Sequence, residues 1–91
     1  MRLISQDGMI DVPYQKVVVS LSFIYHTRIV CWWFGCPDGE VITLGNYSTV
    51  AKAIKAMEML RKEYLETVYD YRTKPKVFQF PKNEDVEVQY G

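Results

Sequence analysis

The sequence predicts an α+β domain in which an antiparallel β-sheet packs on one long α-helix, the sheet comprising an N-terminal hairpin and a three-stranded meander. Two observations support this fold class. Three runs between residues 16 and 44 are rich in β-branched and aromatic side chains, and the first alternates with a period of two. Residues 49–72 then hold apolar side chains at helical spacing without glycine or proline.

The N-terminal residues predict a β-hairpin. Residues 2–5 and 9–12 form short apolar segments on either side of Gln6-Asp7-Gly8. Asp-Gly is a tight-turn signal, because glycine adopts positive φ without a steric penalty. Pro13 cannot donate a ladder hydrogen bond, so we expect the second strand to end there or to lie on a sheet edge.

The next part of the chain predicts the meander. Its strands are expected at residues 16–26, 29–34 and 40–44. Thr27 and Arg28 allow a tight reversal after the first strand, and residues 35–39 supply glycine, proline and aspartate for the second turn. Connections this short join neighbouring antiparallel strands.

A change of period predicts the helix, which we place at residues 49–72 with Ser48 as its N-cap. The residues after it, 73–75, contain Pro75 and end the helix. A short strand at residues 77–80 follows, which Pro81 ends and which could join a sheet edge. The predicted buried stripe of the helix consists of Val50, Ala53, Ile54, Met57, Leu60, Tyr64, Val68 and Tyr71.

The composition limits the classes of function. A chain of 91 residues has room for one domain, which we place at residues 1–81, and its 11 basic residues balance 11 acidic ones. Duplex DNA binding therefore lacks its usual electrostatic drive. Residues 82–91 are predicted to form an acidic tail containing Glu84, Asp85 and Glu87. There is neither a signal-peptide pattern nor an apolar run near the roughly 18 residues of a membrane span, so we expect a cytoplasmic protein.

Candidate catalytic and metal-binding residues are sparse. His26 is the single histidine, and Cys31 and Cys36 are the two cysteines. A structural zinc site requires four ligands, so this set is too small without carboxylates. Asp7 and Asp11 could act as paired carboxylates, but the turn accounts for Asp7, and Asp11 lies just before the Val12-Pro13 boundary. No phosphate-binding loop or nucleophile motif occurs. We therefore expect no enzymatic activity, no metal and no cofactor.

Trp32, Trp33 and Phe34 give the most informative functional signal. Consecutive strand residues point to opposite faces, so these three rings cannot all enter one core. We expect the helix to cover the face with Trp33, leaving Val30, Trp32 and Phe34 on the other, together with Ile42 and Leu44 or with Val41. An apolar face of this size predicts self-association, cover by another part of the chain, or a site for a ligand or protein.

Three segments carry a resemblance to a known group of proteins. They are MRLISQDGMIDVPY, YSTVAKAIKAMEMLRKEY and VFQFP, in this order. Together they resemble small proteins encoded in phages and prophages of Firmicutes. The resemblance assigns no activity, and it does not extend over residues 16–44.

The resemblance implies a phage accessory protein. Small phage proteins without catalytic residues often act by stoichiometric binding, so we expect this one to counter host defence in that way. Such a protein could inhibit a defence protein, as anti-CRISPR proteins do, or sequester a cyclic-nucleotide immune signal. For a ligand we expect a binding site formed by Arg28, Trp32 and Phe34, because rings and a cation can hold a nucleotide. For a basic protein partner we expect the acidic residues of the tail to form the contact. The alternative is a structural or regulatory homo-oligomer without a role in defence.

Overall fold

The computed structural model describes residues 1–36, 39–68 and 76–88, and it confirms the predicted α+β fold. Predictions for residues 37–38, for the end of the helix and its stop at 69–75, and for residues 89–91 lie outside this part of the chain. In chain order the elements are β1 (Arg2–Ile4), β2 (Asp11–Pro13), β3 (Val17–Leu21), β4 (Arg28–Trp33), β5 (Ile42–Asn46), α1 (Val50–Val68) and β6 (Val77–Gln79). Two 3-10 helices, Tyr14–Lys16 and Asn83–Asp85, complete them.

The strands form two three-stranded sheets. The meander has the order β3-β4-β5 and is antiparallel throughout. The other sheet has the order β2-β1-β6, in which β1 pairs antiparallel with β2 and parallel with β6. The predicted C-terminal strand thus joins a sheet edge, and it pairs with the hairpin.

The hairpin turn is held by a small network of polar side chains. Gly8 adopts a φ of +77°, as the Asp-Gly signal predicts. The buried Ser5 hydroxyl accepts the Ile10 N–H at 3.0 Å and donates to the Asp7 carboxylate. Asp7 also accepts the Met9 N–H at 3.0 Å. These hydrogen bonds place Asp7 in the turn, and they lower its pKa, chiefly through the bond from Ser5.

The first strand of the meander is shorter than predicted. β3 ends at Leu21 instead of residue 26, and the reversal occupies residues 22–27. The physical reason is the Ser22 hydroxyl, which accepts the backbone N–H groups of Ile24 and Tyr25 at 3.2 and 3.1 Å and so forms a local turn. A β-bulge in β5 leaves Leu44 between the residues paired with Ile29 and Val30.

The core lies between the inner face of the meander, the helix and the hairpin sheet. Ala53 and Ala56 are fully buried and let α1 approach β4 closely. The buried stripe of the helix is therefore rotated from the predicted one, since Ala56 belongs to it while Val50 and Ile54 are exposed. The core cluster comprises Leu3, Val12, Ile29, Cys31, Leu44, Tyr47, Ala53, Ala56, Leu60, Phe78, Phe80 and Val86.

The N-cap of the helix is Thr49, and the prediction of Ser48 was wrong by one residue. The Thr49 hydroxyl accepts the Lys52 N–H at 3.1 Å, as an N-cap side chain does three residues into a helix. Ser48 lies outside the helix, where its own backbone N–H donates to the side chain of Asn83 at 2.8 Å.

Thr49→Ala is expected to lower the free energy of unfolding by about 1 kcal/mol, because the first turn loses an acceptor for an unpaired N–H. Ser48→Ala is the matched control and should change it by less than about 0.5 kcal/mol. Urea denaturation followed by circular dichroism measures both values. A larger loss for Ser48→Ala would contradict the assignment of the cap.

Residues 82–88, predicted as part of an acidic tail, pack against the domain. Val86 is 2% exposed and belongs to the core cluster. The Nζ of Lys52 donates a hydrogen bond to the Asn83 carbonyl at 3.1 Å. The hydroxyl of Tyr47 donates to the Pro81 carbonyl at 2.8 Å, and burial raises the pKa of Tyr47 to about 12.

Within residues 1–36, 39–68 and 76–88, no helix combines the length and the apolarity needed to cross a bilayer.

Candidate functional site

The outer face of the meander, opposite the helix, carries an apolar groove. Its floor is formed by Val30 and Trp32 of β4, and its walls come from the loop after β3 and from Gly39 and Val41 before β5. The groove has a volume of 400 Å³ and is lined by Ser22, Phe23, Ile24, Val30, Trp32, Gly39 and Val41. We call this set the meander groove. None of these side chains is charged.

Strand pairing explains which side chains reach the meander groove. Trp32 lies opposite Val18 and Val30 lies opposite Thr43, so their side chains share the outer face. Ile42 and Leu44 pack with the core instead. The alternative left open by the sequence is thereby decided in favour of Val41, which is exposed beside Trp32.

The two tryptophans lie on opposite faces, as alternation requires. Trp32 is half-buried in the meander groove. Trp33 follows the inner-face pattern of Ile29 and Cys31, but it ends β4 and remains 40% exposed. Neither indole is enclosed within the described part of the chain.

The loop after β3 projects large apolar side chains into solvent. Phe23 and Ile24 are 86% and 81% exposed. Backbone hydrogen bonds from Ser22 N to Arg28 O and from Arg28 N to Tyr25 O, both 2.9 Å, close the loop at its base. Together with the Ser22 hydroxyl, they hold the two apolar side chains beside the groove.

The three residues predicted to form a ligand site are only partly brought together. Trp32 lines the meander groove, whereas Arg28 and Phe34 do not. The Arg28 guanidinium lies over the Tyr25 ring, 4.4 Å from its centroid. Phe34 follows the end of β4 and is 78% exposed. A role for these residues in binding stays a prediction.

The acidic residues of the C-terminal segment lie at a different surface. Glu84, Asp85 and Glu87 are exposed. Asp85 and Glu87 border a separate groove of 840 Å³ against Lys55 and other residues of the outward face of α1. This groove shares no lining residue with the meander groove. Because Lys55 borders this groove together with the carboxylates, the groove is less acidic than the surface that the sequence predicts for contact with a basic protein.

The residues that the sequence offers as catalytic candidates lie in different parts of the fold. His26 is exposed in the loop after β3, Cys36 is exposed, and Cys31 is buried in the core. Asp11 forms an ion pair with Arg2 at 2.8 Å on the hairpin. Among residues 1–36, 39–68 and 76–88, no three His, Cys, Asp or Glu side chains cluster as metal ligands would.

The two thiols should react at very different rates. Cys36 is exposed, whereas Cys31 is fully buried and burial raises its pKa to about 11, so it holds little thiolate at pH 8. We expect an aromatic disulfide reagent to titrate one thiol per folded chain and two in denaturant. Cys36→Ser should abolish the fast reaction, and its persistence in that variant would contradict the burial of Cys31.

The fold and the groove define a small α+β domain with an apolar groove, uncharged in its described lining residues, on the sheet face away from its helix. No family model matches the chain, and no curated protein or solved structure shows significant similarity to it.

Proposed function

We propose that the protein acts by stoichiometric binding of another protein through the meander groove, and that it is not an enzyme. The observation that carries this proposal is the exposure of Phe23, Ile24 and Val41 around Trp32. Leaving such side chains in water forgoes roughly 1.5–3 kcal/mol for each large one. Contiguous apolar patches of this kind commonly mark interaction sites.

The chemistry of the groove favours a protein partner over a cyclic nucleotide. A nucleotide site needs cationic or polar groups aimed at phosphate as well as rings for stacking. Among the lining residues that the structure describes none is charged, and Ser22 uses its hydroxyl to accept two backbone N–H groups. Apolar side chains of a partner would fit this lining better than a phosphate.

The resemblance to phage and prophage proteins supports a particular kind of partner. We propose a defence protein in the cytoplasm of the host cell, inhibited by occlusion as anti-CRISPR proteins inhibit theirs. The exposed acidic residues Glu84, Asp85 and Glu87 are a second candidate contact for a basic surface of that partner. A homo-oligomeric structural protein is the alternative, in which the groove receives a second copy.

A pair of exposed phenylalanines gives a matched test. Phe23→Ser removes a wall of the meander groove, whereas Phe34→Ser removes a ring of similar exposure outside it. Loss of a well-packed interface ring typically costs about 2 kcal/mol, so Phe23→Ser should weaken partner binding roughly 30-fold while Phe34→Ser should not. The readouts are phage plating on a defence-carrying host that expresses each variant, and titration of the purified defence protein.

Other results of these experiments would change the proposed contact or the proposed partner. Equal activity of wild type and Phe23→Ser would exclude the groove, and loss only in a Glu84→Gln, Glu87→Gln double variant would transfer the contact to the acidic surface. A nucleotide released by denaturing the purified protein and detected by mass spectrometry would favour sequestration. A change confined to the sedimentation coefficient of Phe23→Ser would favour the homo-oligomer.

A further inference from the structure

The free edge of β3 is a second feature of the meander, distinct from its outer face. The order β3-β4-β5 places β3 at an edge of the sheet. The opposite edge, β5, is partly covered by Gln6. The backbone N–H of Gln6 donates to Leu44 O at 2.7 Å, and its side-chain Oε1 accepts the Asn46 N–H at 3.0 Å. In the part of the chain that the structure describes, no strand pairs with the other side of β3.

The ladder with β4 determines which backbone groups point to this free edge. Phe34 N donates to Lys16 O and Ser22 N donates to Arg28 O, each at 2.9 Å. In an antiparallel ladder the hydrogen-bonded positions alternate, so Val18 and Ser20 direct their backbone groups toward β4. The backbone groups of Val17, Val19 and Leu21 consequently face away from β4.

Two of the six backbone groups on the free edge are already satisfied. The Val17 N–H donates to Tyr14 O in the preceding 3-10 helix. The Leu21 carbonyl accepts the Ser20 hydroxyl at 2.7 Å. The remaining four groups make no hydrogen bond within residues 1–36, 39–68 and 76–88; they are the Val17 carbonyl, both groups of Val19 and the Leu21 N–H.

We propose that β3 pairs antiparallel with β3 of a second copy about a two-fold axis at Val19, forming a continuous six-stranded sheet. In this register the N–H and carbonyl of Val19 bond to those of Val19 in the second copy. The Leu21 N–H of each copy reaches the Val17 carbonyl of the other. All the remaining groups are satisfied, and the two groups already bonded within the chain, Val17 N–H and Leu21 carbonyl, fall opposite each other.

The composition of β3 agrees with this pairing. Natural edge strands avoid self-association by means of charge, proline or bulges. Val17–Leu21 contains no charged residue and no proline, and its ladder with β4 is regular along its whole length. All five of its side chains are only half-buried, so that pairing would cover more apolar surface on both sheet faces.

The cleft between β3 and the helix lies along the same edge. It has a volume of 590 Å³ and includes Val17, Val19, Met57 and Leu60. Pairing would bring Val19 beside its counterpart and Val17 beside Leu21 of the second copy, next to this cleft. The apolar rows of the two inner faces would then be continuous.

Cysteine cross-linking tests the register directly. Because Cys31 lies opposite residue 19 on β4, the test uses a background in which both native thiols are removed, Cys31→Ala with Cys36→Ser. In this background Val19→Cys places two thiols at the two-fold axis with Cα atoms about 5.5 Å apart, within the range of a disulfide. Ser20→Cys is the matched control, because its Cα atoms would lie about 8 Å apart, beyond that range. Mild oxidation should convert most of the Val19→Cys protein into a covalent dimer and at least tenfold less of the control.

Two results would overturn the proposal: equal cross-linking of the two variants, or no cross-linking of folded Val19→Cys. Hydrogen exchange of the unmodified protein provides an independent readout. The Val19 and Leu21 amides should be protected at high concentration and lose protection on dilution, while the Ser20 amide, bonded to β4, should stay protected. Fast exchange of the Val19 and Leu21 amides at the highest concentration, with the Ser20 amide protected, would also overturn it. The meander groove is not involved, so that Phe23→Ser should leave the cross-linking unchanged.

Discussion

Phe80→Ala is expected to lower the free energy of unfolding by about 3–5 kcal/mol, the usual cost of truncating a fully buried phenylalanine. Phe80 is 1% exposed and its ring meets Phe78 edge to face, with centroids 5.2 Å apart. Its backbone N–H donates to Ile4 O at 3.1 Å, so the residue also extends the parallel pairing of β1 with β6. The alanine variant would leave a cavity where the hairpin sheet meets the rest of the core.

Urea denaturation of the unmodified protein and of Phe80→Ala measures this difference in the free energy of unfolding. Phe34→Ala is the control, because it removes the same atoms from a side chain that is 78% exposed, and it should change the free energy by less than about 0.5 kcal/mol. A loss below about 1 kcal/mol for Phe80→Ala would show that this part of the core is not packed as described.

Truncation after Pro81 is the second change with a large expected effect. It removes Val86 from the core, which alone should cost roughly 1.5–3 kcal/mol. It also removes Asn83, which accepts hydrogen bonds from the Ser48 N–H and from Lys52. We expect a loss of about 3 kcal/mol or more, with a lower thermal midpoint.

A truncation after Val88 serves as the control, because it keeps every contact just named. It should differ little from the full chain in a thermal melt monitored by circular dichroism. If the shorter protein, ending at Pro81, melted at the same temperature, residues 82–88 would act as a separable tail, as the sequence alone suggests.

Local patterns were sufficient to predict most elements of the fold. Helix α1 follows from a long apolar period without glycine or proline, and the hairpin follows from Asp7-Gly8. These features depend on residues close in sequence, where propensity and periodicity act directly. The same is true of the outer face of β4, because alternation alone separates Trp32 from Trp33.

Features that depend on distant or competing contacts could not be predicted. The partner of β6 is β1, more than 70 residues earlier, and no local pattern encodes that parallel pairing. β3 ends because the Ser22 hydroxyl accepts two backbone N–H groups of the following loop and forms a local turn. The sequence does not show this end, since Phe23 and Ile24 continue an apolar strand pattern. For this reason the two most exposed side chains of the meander groove were missed.

The burial of Val86 illustrates the same limit. In the sequence it stands among Glu84, Asp85 and Glu87, so the composition predicts a solvated segment. This single valine fills part of the core, while its acidic neighbours are exposed to solvent. Charge content is an average over a segment, and one anchoring side chain is enough to place that segment on the domain.

The parallel pairing of β1 with β6 also has a consequence for biosynthesis. During translation β1 emerges first, but one of its edges stays without a partner until residues 77–79 have left the ribosome. At about 5–20 residues per second, this interval lasts several seconds. One edge of the nascent hairpin therefore stays unpaired during this interval. Contacts between residues so distant in sequence also slow the final folding step.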